Sequence, residues 1–189
     1  MLYYLPKKEK YDIDEADKCV KSLIAEFEIL SNKGHVKAQL ALNNIRLRHP
    51  LFAKLSTPAF KFIMENSLLY KLRAGQFIYR ESVRPAPNLY FIMYGSFQCR
   101  KTATGPFGAL MCVGHTLGEE ILFGPASDVR TESVVAKENA CVLQVNVQNF
   151  ARMKSVQIAG ASKDTLQRDY LVLLYILENH YIQKNEWRE

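Results

Sequence analysis

In the first third of the chain, apolar residues recur every three or four positions. Val20, Leu23, Ile24, Phe27 and the pair Ile29/Leu30 stand with charged residues between them, the pattern of an amphipathic helix. The run Ser31–Gly34 breaks it. A second helical stretch is predicted over about 35–47, ending near His49-Pro50. A short third helix is predicted in "LSTPAFKFIMENS", with Thr57 as N-cap and Pro58 at the first helical position. Its apolar face is Ala59, Phe60, Ile63 and Met64.

The pattern changes at Leu68. "LLYKLRAGQFIYRES" reads as two strands around a turn at Gly75, and "NLYFIMYGSFQCRK" is rich in aromatic and branched residues although it alternates poorly. "TATGPFG" reads as a turn and "ALMCVG" as a strand, and "ESVVAKENACVLQVNV" reads as two strands joined around Lys137–Asn139. Helical periodicity returns in "VQNFARMK" and in a long segment from Lys163, with Asp164 as the expected cap. There Leu166, Tyr170, Leu173/Leu174, Leu177 and Tyr181 share one face. The expected class is therefore α+β: a jelly-roll-like β-sandwich or barrel flanked by N-terminal helices and a long C-terminal helix. The expected boundaries are an N-terminal arm and helices at 1–48, a β-core at 49–155, and a C-terminal lid or linker helix at 156–189. No βα alternation occurs, which argues against a dinucleotide fold.

Composition narrows the classes further. The 189 residues suffice for one cored domain. A net charge of +6 is too mild to imply nucleic acid or a membrane surface. Cys19, Cys99, Cys112 and Cys141 form no CxxC pair and are expected to be buried free thiols, which fits a reducing compartment. His35, His49, His115 and His180 lie in separate elements without metal-ligand spacing, so no metal and no cofactor is expected. The N-terminus lacks a signal-peptide apolar run, and "LVLLYIL" is too short to span a bilayer. The expectation is a soluble, intracellular protein. Lys33, Lys37, Arg46, Arg48 and the lysines of the N-terminal arm are expected to form a solvated face.

One stretch carries candidate chemistry: "GHTLGEEILFGPASDVRTESVVA", Gly114–Ala136. Gly118 permits a tight backbone at a strand exit, and "EEILF" has the length of about one helical turn. A turn that exposes backbone N–H groups can cradle an anion. Arg130 can add a bidentate fork that matches two phosphate oxygens. Glu119 cannot favour a phosphate but can accept from a sugar hydroxyl. From the residues alone, an ordinary turn with solvated carboxylates and a surface arginine stands beside that reading. No Ser-His-Asp or Cys-His arrangement can be placed, so no enzyme activity is expected.

The stretch resembles the phosphate-binding cassette of cyclic nucleotide-binding domains, the modules of cAMP-dependent kinase regulatory subunits, bacterial catabolite activators and cyclic nucleotide-gated channels. Leu117-Gly118-Glu119 matches the start of the family pattern, Leu122 its leucine, and Arg130-Thr131 its arginine pair, with "SVVA" as the strand that follows. "HPLFAKLS", "LRAGQFIYRES", "NLYFIMYGSFQC" and "CVLQVNVQNFARM" fall in family order, so the resemblance covers roughly 49–155. It implies that Glu119 accepts the ribose 2′-hydroxyl and Arg130 pairs with the cyclic phosphate. It also implies that the N–H groups near Ile121 and Leu122 help hold the phosphate beside Thr131. The C-terminal helix, through Tyr170 or Leu174, would be the lid. The ligand implied is cAMP or cGMP, with cAMP preferred although Thr131 points the other way.

Several residues depart from the family pattern. Ile121 replaces a small residue, Glu120 adds a second carboxylate, and Glu132 follows the arginine pair. The loop before Arg130 is about two residues longer than usual, and its Asp128 stands close enough in sequence to occupy Arg130. Two functions follow as expectations. The first is a non-catalytic regulatory module that binds a cyclic nucleotide. The second is a degenerate relative acting as a structural or protein-interaction module of a cytoskeletal or ciliary assembly. In both, the terminal helices are the expected protein contact, with no nucleic acid partner.

Overall fold

A computed structural model describes residues 18, 21–23, 25–26, 38–82, 86–100, 108–124, 130, 132–158 and 160–186. The N-terminal arm, the turn at 102–107, Cys19, His35, Asp128 and Thr131 lie outside the described residues. Helices α1 (Ala38–Arg48), α2 (Pro50–Ala53) and α3 (Thr57–Glu65) precede the strands. The strands are β1 (Ser67–Leu72), β2 (Phe77–Tyr79), β3 (Asn88–Tyr94), β4 (Phe97–Arg100), β5 (Leu110–Met111), β6 (Thr116–Leu117), β7 (Ser133–Ala136) and β8 (Ala140–Asn146). The short helix α4 (Glu120–Phe123) interrupts them, and α5 (Val147–Arg152) and α6 (Lys163–Glu186) close the chain.

The strands form two antiparallel four-stranded sheets, ordered β1-β8-β3-β6 and β2-β7-β4-β5. Consecutive strands therefore alternate between layers, except β4 and β5, which pair within one sheet. The turn at Gly75 carries the chain from one sheet to the other, and so does the turn at 137–139, where the sequence pattern suggested adjoining strands. This jelly-roll sandwich explains the poor alternation of β3. Its odd residues Leu89, Phe91 and Met93 pack on the helices, while Tyr90 and Ile92 pack between the sheets. A strand buried on both faces has no polar side to show.

The helical layer covers one sheet. Phe52, Phe60, Phe91, Leu143 and Phe150 form its centre, with Leu42 and Ile45 of α1 and Leu166, Leu173 and Leu177 of α6 around them. Each such fully buried side chain contributes about 1.5–3 kcal/mol. The predicted face of α6 thus packs on the core, while Leu171, Tyr175 and Ile182 remain exposed on its other side.

Four local expectations are corrected. The cap of α3 is Ser56, whose hydroxyl accepts from the Ala59 N–H, and Thr57 is already helical. At the start of α6 the Ser162 hydroxyl accepts from the Thr165 N–H, and Asp164 lies inside the first turn. Arg46 is no solvated residue: its guanidinium donates to the carbonyls of Phe52, Ala53 and Leu55 and to Thr57 Oγ1, tying α1 to the α2–α3 corner. Arg48 pairs with Glu26 at 3.4 Å. Of the thiols, Cys99 and Cys141 are buried, but Cys112 sits exposed in the turn after β5.

Candidate functional site

The cassette is built on Gly118. Its φ of +87° is one an L side chain rarely adopts, and a Cβ there would stand 2.6 Å from the Asn88 carbonyl oxygen. The backbone can therefore run against β3 and lie beside Arg130 only because the residue has no side chain. The next residues close a single turn. The Ile121 N–H donates to Gly118 O and the Leu122 N–H to Glu119 O. These are the amides expected to hold a phosphate, and both are already engaged inside the turn.

The expected site residues come together, with partners drawn from the protein itself. Arg130 is buried and pairs with the Glu120 carboxylate. Its Nη2 donates to the Ala86 carbonyl at 3.2 Å, and its guanidinium lies over the Tyr79 ring at 4.3 Å. Glu120 thus turns inward, and its charge meets a cation instead of opposing a ligand from outside. Glu119 is fully buried, and its Oε1 lies 2.6 Å from the Lys184 ammonium. Lys184 comes from the last turn of α6, sixty-five residues further along the chain, and is itself 3% exposed.

The electrostatics follow from this crowding. Glu119 pairs with Lys184, Glu120 pairs with Arg130, and the buried Glu132 lies near enough to act on Lys184. Burial lifts the Glu119 carboxyl above the usual carboxylate range, and Lys184 pulls against that lift. Burial also works to lower the Lys184 ammonium, but Glu119 and then Glu132 outweigh it and hold it above the ordinary lysine range. Lys184 therefore stays charged. Burial raises the Tyr79 phenol well above its ordinary value, with Glu120 and Glu132 adding to the effect.

The helix residues that reach the cassette differ from the expected lid. Tyr170 stacks on Phe150 with ring centroids 5.2 Å apart, and Leu174 packs in the helical-side core. Tyr181 faces Phe123 of α4 at 6.1 Å, His180 Nδ1 lies 3.2 Å from Thr116 Oγ1, and Lys184 reaches Glu119. One signal in the sequence pointed there. The apolar stripe Leu173, Leu177 and Tyr181 continues at helical spacing to position 184, so a lysine sits where the stripe calls for a buried residue. Tyr79 carried no comparable signal, since three-residue β2 is too short to assign its faces.

Two histidines expected to be unrelated meet here. The His115 and His180 rings lie 6.1 Å apart, and His49 packs nearby on Phe52 and Phe91. Burial lowers His49 to about 4 and His180 to about 4, so both are neutral near pH 7. Among the described residues no group of three His, Cys, Asp or Glu side chains could hold a metal ion, and no helix is long and apolar enough to cross a membrane.

Residues 69–155 match the family model described as "Cyclic nucleotide-binding domain". Among solved structures, a putative cyclic nucleotide-binding protein from Geobacter metallireducens aligns with a TM-score of 0.56 at 21% identity, covering 74% of this chain and 95% of the other. A cyclic nucleotide-binding domain from Methylobacillus flagellatus aligns with a TM-score of 0.59 at 15% identity, covering 79% and 83%. The regulatory subunit of a cAMP-independent protein kinase A from Trypanosoma brucei aligns with a TM-score of 0.54 at 15% identity, covering 84% of this chain but 46% of that subunit. At these identities the likeness is one of fold. No curated protein sequence matches the chain.

Proposed function

We propose, from the match of residues 69–155 to the cyclic nucleotide-binding family, that the protein is a non-catalytic regulatory module whose cassette is gated by its own C-terminal helix. The observation that carries this reading is the Lys184–Glu119 contact at 2.6 Å, which ties α6 directly to the residue expected to hold a ribose. Glu120 occupies Arg130 in the same way, standing where a cyclic phosphate would pair. A cyclic nucleotide, cAMP or cGMP, then binds only by replacing both internal partners. The 2′-hydroxyl takes Glu119 from Lys184, and the phosphate takes Arg130 from Glu120. Releasing Lys184 frees the end of α6, and that release is the signal to a protein partner. Affinity is reduced by the fraction of molecules in which the pairs are open, a conformational cost paid before any ligand contact forms.

A second reading has its own support. The two pairs also suit a domain that kept the fold and dispensed with the ligand, serving as a protein-interaction module, because a neutralised Arg130 offers little to a phosphate. Calorimetric titration of the full chain with cAMP and with cGMP separates the two. Heat of binding that Arg130→Ala abolishes, with the circular dichroism spectrum retained, supports gated binding. No heat and no thermal shift with either nucleotide, for wild type and for Glu120→Gln, favours the interaction module.

A further inference from the structure

The sandwich is open along the edge formed by β1 and β2. Strands β1 and β2 end their respective sheets, and among the described residues nothing pairs with their outer edges. β1 has six residues and β2 only three, so the second sheet stops short of covering the first. The consequence is visible on the inner face of β1. Leu68, Tyr70 and Leu72 share that face, and Leu72 reaches the core between the sheets. Leu68 is nevertheless 60% exposed and Tyr70 45%. Between the two edges runs a groove of about 660 Å³, with Tyr90, Val142 and Gln144 among the residues lining it and Phe77 and Ile78 on the β2 side.

The charge of the groove has one sign. Arg80 lines it with its guanidinium 3.8 Å over the Phe77 ring, Lys71 stands at its rim with the side chain on the other face of β1, and among the described residues no carboxylate lines it. A lone lysine on an edge strand discourages self-association, but it leaves Leu68 and Tyr70 bare. An open edge presents every second peptide group of β1 outward, ready to bond a further strand. Such a strand would alternate like β1 itself. Residues beside Leu68, Tyr70 and Leu72 would face the groove and be apolar, and residues beside Lys71 would face the other way and pair best as carboxylates.

We propose that this edge binds an extended peptide segment of a partner protein, with apolar residues alternating with Asp or Glu, by adding a strand to β1. The groove adjoins the cassette, since Tyr90 lines it and lies against Gly118, and Tyr79 of β2 lies under Arg130; the strand addition itself rests on the edge of β1 and not on nucleotide binding.

The test is fluorescence anisotropy of the full chain with a labelled peptide of about eight residues, alternating Val with Asp or Glu, long enough to span β1. Saturable binding is expected, weakened about tenfold or more by the double variant Lys71→Glu/Arg80→Glu and by Tyr70→Lys. These side chains are exposed or at the groove rim, and circular dichroism checks that the variants stay folded. Backbone N-methylation of alternate peptide residues is expected to cost a similar factor, because it removes the edge hydrogen bonds, and a Val/Lys peptide is expected not to bind. Absence of binding up to about 1 mM overturns the proposal. It is equally overturned if the N-methylated peptide binds as well as the parent, which would mean charge adsorption without strand addition. An oligothymidylate that competes fully with the peptide, at equal or higher affinity, also overturns it in favour of a nucleic-acid surface.

Discussion

The Lys184 ammonium lies 2.6 Å from Glu119 Oε1, and both side chains are shut off from solvent. The contact joins the last turn of α6 to the first residue after Gly118. It makes the helix end and the cassette one unit. Removing one member of a buried pair leaves the other charge without compensation, which typically costs about 3–5 kcal/mol. Lys184→Met is therefore expected to destabilise the protein by about that amount in urea unfolding. The double variant Glu119→Gln/Lys184→Met is expected to recover much of the loss. Additive losses in the two single variants and the double would show that the pair is not coupled.

Glu120 and Arg130 answer a different question, that of competition. In Glu120→Gln the phosphate no longer has to displace a carboxylate from the guanidinium. Affinity for cAMP or cGMP is expected to rise about tenfold or more, equivalent to about 1.4 kcal/mol. Isothermal titration against wild type measures it. An unchanged dissociation constant would mean that Glu120 does not compete for Arg130.

His49 and His180 set an acid limit. Each is held near 4 in the folded chain by burial, against an ordinary value of 6.5. Between those values the unfolded chain binds more protons than the folded one, so stability is full above about pH 6.5 and falls as pH drops towards 4. For His49, the more deeply buried of the two, the loss reaches about 3 kcal/mol by pH 4. His49→Asn keeps an acceptor near the Leu51 N–H that His49 Nδ1 now serves and removes the titration. Urea midpoints measured across this range are expected to show a shallower slope for the variant by about one proton. An unaltered slope would assign the acid sensitivity to other groups.

Gly118→Ala tests the backbone of the cassette. The substitution combines a positive φ with a 2.6 Å approach to the Asn88 carbonyl, a backbone atom that cannot swing aside. A loss of about 2 kcal/mol or more is expected, together with loss of any nucleotide affinity. Thermal melting checks the first part and titration the second. Gly75→Ala serves as the comparison: its φ is also positive, but no atom lies within 4 Å of its Cβ position, so only the conformational cost should appear.

Much of the architecture was legible along the chain because its signals are local. Helical spacing marks α1, α3 and α6, and the glycine turn at 75 punctuates the strands. The "LGEEILF" and Arg130 elements marked the cassette through their resemblance to a family motif, while the residues alone left an ordinary turn equally open. Strand partners were less legible. β7 and β8 adjoin in sequence yet lie in different sheets, because hydrogen-bond pairing in a jelly roll is decided by the closing of two layers and not by turn length. Thr57 and Asp164 were misplaced as caps by one or two residues, since several hydroxyls and carboxylates compete at each helix start and backbone angles choose among them.

The amino-acid sequence by itself determined that Glu119 and Arg130 stand on one cassette in a β-core with a long helix behind it. It could not determine what those two residues touch. Lys184 is distant from Glu119 along the chain, and its role depends on the packing of Leu173 and Leu177, which sets the path of α6 and delivers the ammonium to the carboxylate. Whether Glu120 faced solvent or Arg130 was likewise a matter of one turn's orientation, fixed by the Gly118 backbone against β3. Tertiary structure alone converted an open anion cradle into a pair of closed ion pairs, because charges removed from water must find partners wherever the fold brings them.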